Sequence, residues 1–174
     1  MTVPGRADQK KTFMNKIKKI LAPTDLSELS KVGLRPALEM AESQGAEVIV
    51  YHVVGLFEEW LARHNEFSSV AQLIEKREQM LARFLKKSFA DLLSQVSVRE
   101  EVEGGVPYKM IVEKAGEEAV DIIVMSTHGW SGLSHMFIGS VTEKVVARAT
   151  CPVLSIRPPK EPDLARAVGG SEQS

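Results

Sequence analysis

The sequence predicts an α/β fold: an open, doubly wound, mostly parallel sheet of five strands with helices on both faces. Three observations carry that expectation. Five short runs rich in β-branched residues recur along the chain, and a helical pattern separates one run from the next. One of them, EVIVYHVV (Glu47 to Val54), is apolar almost without a break, as expected of a strand covered on both faces. Strands that alternate with helices pack through right-handed crossovers, which make the strands parallel and place helices on either side.

The elements follow in order. KKILAPTD (Lys18 to Asp25) is the first strand, and Pro23 marks its C-terminal end because proline donates no ladder hydrogen bond. SELSKVGLRPALEMAESQG is a helix with Ser27 or Ser30 as cap and Gly45 as the residue that stops it. Pro36 inside it predicts either a kink or a helix that begins near Arg35. After the strand Glu47 to Val54, residues 55–69 read either as a lid or as a lead-in to the next helix. That helix carries Val70, Leu73, Ile74, Leu81, Phe84, Leu85, Leu92 and Leu93 at helical spacing. Val96 to Gly105 alternates apolar and polar residues and suits an edge strand with one wet face.

PYKMIVEKAGEEA then forms a short helix with Pro107 in its first turn, leading into a fourth strand, Val120 to Thr127. GSVTEKVVARA is a helix with Val141, Val145 and Val146 on one face, and Cys151 to Pro158 is the fifth strand. Residues 17–158 thus make one domain. Residues 1–16 lack periodicity and read as a flexible segment, and 159–174 as a disordered tail.

Composition removes several function classes. With 44% apolar and 26% charged residues, 174 residues suffice for a well-buried core. A formal net charge of −1 gives no overall field to attract nucleic acid or an anionic membrane. Cys151 is the single cysteine, which leaves no internal disulfide and no thiolate cluster for zinc. No segment approaches the roughly 20 apolar residues of a membrane helix, and none resembles a signal peptide, so the expected location is cytoplasmic.

In such a sheet, ligands bind beyond the carboxyl ends of the strands. The segments placed there are Pro23-Thr24-Asp25, Val53-Val54, Gly104 to Pro107 and the stretch VMSTHGWSGLSHMFIGSVT from the residue after Met125 onward. The last holds Gly129, Gly132 and then Gly139-Ser140 at the start of a helix. Glycines let backbone N–H groups approach an anion, and a helix N-terminus favours negative charge. No P-loop and no G-x-G-x-x-G is present. Ser126, Thr127 and His128 lack the G-x-S-x-G elbow of a hydrolase. KKILAPTD lacks the acidic pair of a phosphoacceptor domain, and the four histidines have no metal-ligand spacing, so no metal site is expected.

Ser126-x2-Gly129-x9-Gly139-Ser140, followed by GSVTEKVV and closed by CPVLSIR, resembles the nucleotide-binding members of the universal stress protein family. KILAPTDLSELS is similar to that family's first strand and its adenine-side aspartate, which falls on Asp25. The likeness spans roughly Lys18 to Arg157. It implies the strand order 3-2-1-4-5 and a stress-response protein that binds ATP or a related adenine nucleotide, with Mg2+ admitted beside it. It implies that Pro23, Thr24, Asp25 and Val53 border the base or ribose. Ser126, His128, Gly129, Gly132, Gly139, Ser140 and Val141 would surround the phosphates. It also implies a homodimer through the fifth strands, at Val153, Leu154, Ser155 and Ile156. Two positions depart from the family pattern: Ser126 stands where the motif has glycine, and Trp130 where many members carry a small or basic residue. A nucleotide-free interaction dimer and a slow ATPase or adenylyl-transfer enzyme are the alternatives.

Overall fold

The computed structural model describes residues 16–56, 60, 69–127 and 139–157. Its elements are β1 (Lys19–Thr24), α1 (Lys31–Gln44), β2 (Glu47–Gly55), α2 (Val70–Leu93), β3 (Ser97–Gly105), α3 (Pro107–Glu117), β4 (Ile122–Ser126), α4 (Ser140–Arg148) and β5 (Val153–Ile156). The strands form one sheet in the order β3-β2-β1-β4-β5, and every pairing is parallel. The register aligns Thr24 with His52, Val54 with Gly104 and Ser126 with Ile156, so the carboxyl ends share one edge of the sheet. The two terminal segments and most of 57–68 lie outside the described residues; Leu56 and Trp60 are helical and exposed.

Alternation along the strands divides the core. Ile20, Val48, Val50 and Val124 face α1 and α2, where Leu34, Leu38, Leu81, Leu85 and Phe89 meet them. Leu21, Ile49, Tyr51, Ile123 and Met125 face the other way, toward Ile111 and Ala115 of α3 and Val145 of α4. Each fully buried Leu, Ile or Val contributes about 1.5–3 kcal/mol by leaving water, so both layers are held by their central strands.

The helix ends depart from expectation in informative ways. α1 starts at Lys31 and runs through Pro36, so the expected start near Arg35 is wrong. Proline forfeits only the bond its own N–H would make to Val32. The buried face of Gly33, Leu34, Ala37, Leu38 and Ala41 holds the helix regardless. Ser30 flanks α1 but makes no side-chain cap, because its hydroxyl is committed to Thr24 and the Ser27 carbonyl. Gly45 does stop α1 in the left-handed conformation, at φ 62°. Ser69 caps α2 by accepting from the Gln72 N–H. α2 breaks at Phe89 (φ −140°, ψ 25°), which turns that ring into the core. On α4, Val145 is buried but Val146 is half exposed, so the expected three-valine face is narrower.

The two sheet edges contrast. Arg99 on β3 pairs with Glu101 (2.7 Å), Glu118 (2.7 Å) and Glu47 (3.2 Å), and Lys114 joins Glu101 to Glu103. Lys19 closes the network onto Glu118 at 2.9 Å. Charges along β3 protect that edge from pairing with another chain. The Arg99 guanidinium and the Lys19 ammonium lower the Glu118 carboxyl to about 2. The unfolded chain therefore takes up that proton first as pH falls below the ordinary carboxylate range. Its stabilising contribution is complete at neutral pH and disappears as pH falls toward about 2. Glu118→Gln should melt below the wild type at pH 7 and converge with it near the bottom of that window. Thermal melts across pH check this; a constant difference would exclude the linkage.

Candidate functional site

The strand ends enclose a cleft of about 350 Å³ between β1, β2, β4, α3 and α4, near the lower end of the range of small-ligand sites. Its rim on β1 is shaped by a relay of hydroxyls. The Thr24 Oγ1 lies 2.8 Å from the Ser30 Oγ and accepts from the Leu26 N–H at 3.0 Å. The Asp25 carboxylate accepts from both the N–H and the hydroxyl of Ser27, at 3.1 and 2.6 Å. These bonds hold Leu26 at φ 63°, a conformation a bulky residue adopts only when its surroundings dictate it. His52 supports the same rim from beneath. Its Nδ1 lies 2.9 Å from the buried Thr24 carbonyl, an acceptor, so the proton sits on Nδ1.

The floor is apolar: Val53, Tyr51, Ile111, Pro107 and Met125. Tyr51 is fully buried, and its hydroxyl meets no hydrogen-bond partner among the described residues. Burial first, and then the negative charge of Glu103, hold that phenol protonated well above its ordinary range. The β4 side is closed by Ser126 and Thr127 and by the first turn of α4. Thr142 donates its hydroxyl to the Ser126 carbonyl at 3.0 Å, the Gly139 N–H reaches Thr127 O at 2.6 Å, and Thr127 N–H reaches Ile156 O at 2.8 Å. The α4 ladder begins with Glu143 N–H on Gly139 O. The N–H groups of Ser140, Val141 and Thr142 therefore precede any acceptor in their own helix. Gly139, at the N-cap, has no side chain to cap that end.

Eight expected site residues meet at this cleft: Pro23, Thr24, Asp25, Val53, Ser126, Gly139, Ser140 and Val141. His128, Gly129 and Gly132 lie outside the described residues, as does Trp130. Gly104 and Gly105 are not on its lining; Gly105 has φ 148° and packs against Met110 instead. Ser126 does not adopt positive φ, so its backbone makes no demand for glycine. Sequence reasoning missed Ser30, Tyr51, Ile111 and Met125, and it did not single out Thr142 within the stretch it placed here. Tyr51 was within reach, since it lies two residues before Val53 and so on the same face of β2. Among the described residues no cluster of His, Cys, Asp or Glu is placed to hold a metal, and no described helix is long and apolar enough to cross a membrane.

Residues 16–157 match the model of the universal stress protein family. The chain belongs to that family. Among its relatives is universal stress protein MJ0531 of Methanocaldococcus jannaschii, 34% identical over 148 residues, covering 84% of this chain and 86% of that protein. This universal stress protein domain also superposes on the solved structure of MJ0577 from the same organism. That pair has TM-score 0.72 and 31% identity and covers 84% of this chain and all of the other. A universal stress protein crystallised with cAMP has the same fold, with TM-score 0.61 at 20% identity, over 82% of this chain and 98% of that one.

Proposed function

We propose that this protein binds an adenine nucleotide, ATP or a relative of it, in the cleft at the carboxyl edge of the sheet, and acts as a regulatory homodimer in a stress response. The observation that carries the reading is the meeting, in one cleft, of an apolar floor, the Asp25 carboxylate, the one carboxylate on the described lining, and three first-turn N–H groups of α4. An apolar slot suits the faces of a base, and Asp25 is an acceptor for an amino group or a ribose hydroxyl. The N-terminus of α4 suits a phosphate. The cAMP held by a structural relative supports the same ligand class. Mg2+ would enter with the phosphates rather than on a carboxylate site of the chain, and the expected location is the cytoplasm. Mass analysis of the protein purified without added nucleotide, followed by ATP titration calorimetry, tests the binding. A nucleotide-free preparation with no heat at millimolar ATP would refute it.

The dimer is proposed through β5. Val153, Leu154, Ser155 and Ile156 carry no charge, and Leu154 is exposed, whereas the β3 edge is laced with ion pairs. An uncharged edge left open invites pairing. Leu154→Arg should convert a dimer to a monomer in sedimentation analysis, and a dimer surviving that change would place the interface elsewhere.

A further inference from the structure

Tyr51 differs from the other buried hydroxyls of the cleft. The Thr24 hydroxyl meets that of Ser30, Ser30 donates to the Ser27 carbonyl, and Thr142 donates to the Ser126 carbonyl. The Tyr51 phenol is as buried as these, yet it has no hydrogen-bond partner among the described residues. Its neighbours on the floor, Val53, Pro107, Ile111 and Met125, have no side-chain oxygen or nitrogen that could accept from it. Lys114 stands over the ring, 5.3 Å from its centre, and its ammonium can only donate. The Glu103 carboxylate, whose charge reaches the phenol, is engaged by Lys114. A buried hydroxyl left unpaired costs stability, and phenylalanine would fill the same space without that cost. The cleft that Tyr51 lines is where its partner can enter.

We propose that Tyr51 determines specificity in the cleft, its hydroxyl donating a hydrogen bond to an unprotonated ring nitrogen of the bound base. The inference rests on the adenine-nucleotide reading above. The phenol keeps its proton, so it acts as a donor. Unprotonated ring nitrogens are the acceptors that adenine offers along its edges. In the register Tyr51 lies beside Pro23, which places it on the floor next to the β1 rim. A tilt of the ring within its rotamer well carries the buried hydroxyl to the face of the cleft. A base seated on the floor then supplies the acceptor that the surrounding side chains lack. A base whose facing nitrogen carries a hydrogen sets two donors against each other and is disfavoured.

Tyr51→Phe separates this role from a structural one. In calorimetric titration of the full chain, AMP should bind the variant about tenfold more weakly than the wild type. Without nucleotide the variant should melt at the same temperature or up to about 4 °C higher. A variant that melts below the wild type would assign the hydroxyl to the fold and overturn the proposal, as would equal affinity of the two proteins for AMP. The 1-deaza, 3-deaza and 7-deaza analogues of AMP identify the nitrogen. One of them should bind the wild type about tenfold more weakly than AMP does, and the variant should bind that analogue and AMP alike. Analogues that each lose the same factor in both proteins would overturn the assignment. A wild type that binds neither AMP nor any analogue would remove the nucleotide reading beneath it instead.

Discussion

Gly33→Ala should destabilise the protein by about 2–3 kcal/mol, and so lower its melting temperature by roughly 4–12 °C, although alanine is the better helix former. A Cβ built on Gly33 lies 2.5 Å from the Ser126 nitrogen and 2.7 Å from the Met125 carbonyl carbon. Both are backbone atoms of β4, so no side chain can rotate away. Propensity would favour alanine by about 1 kcal/mol, but the clash is larger and decides the sign. The displaced residue is Ser126, which lines the cleft and whose carbonyl receives Thr142, so the variant should also weaken nucleotide binding. Gly116 is the internal control. It lies in α3 with nothing within 4 Å of its built Cβ, and Gly116→Ala should stabilise by about 0.5–1 kcal/mol. Chemical denaturation of both variants checks the pair, and equal effects would remove the steric account of the α1–β4 approach.

The second large effect concerns Asp25. Its carboxylate is held in place by two bonds from Ser27 and is the one acidic side chain on the described lining. Asp25→Asn preserves an oxygen that can still accept from Ser27, so the loop should survive while the charge is lost. Nucleotide affinity should fall about tenfold in Asp25→Asn and further in Asp25→Ala, which also releases Ser27. The melting temperature of the asparagine variant should stay close to the wild type. Affinity unchanged in both variants would move the base-binding role away from β1.

Most of the fold was legible because its strands and helices carry unambiguous periods. The strand at Glu47 to Val54 could be read from its almost unbroken apolar run, and Pro107 and Gly45 were punctuation marks with one structural meaning each. Pro36 misled because a proline signals a lost hydrogen bond but not whether packing outweighs it; the buried face around Leu34 and Leu38 does. The break at Phe89 left no mark in the periodicity, since leucines on both sides keep the helical spacing. At the site, the residues at strand ends and at the start of α4 were readable from position alone. The floor was harder. Tyr51, Ile111 and Met125 look like core residues by composition, and only the three-dimensional meeting of β2, α3 and β4 turns their upper edges into a cleft. The Gly33 contact was invisible for the same reason: it depends on how closely α1 crosses β4.

The measurement that bears most directly on the cleft is the change in backbone amide resonances of the labelled protein on addition of AMP. The account predicts saturable shifts centred on Thr24, Asp25, Val53, Ser126 and residues 139–142, which line the cleft. No shifts at saturating nucleotide, or shifts confined to the groove lined by Lys31, Arg35 and Phe89 between α1 and α2, would contradict it.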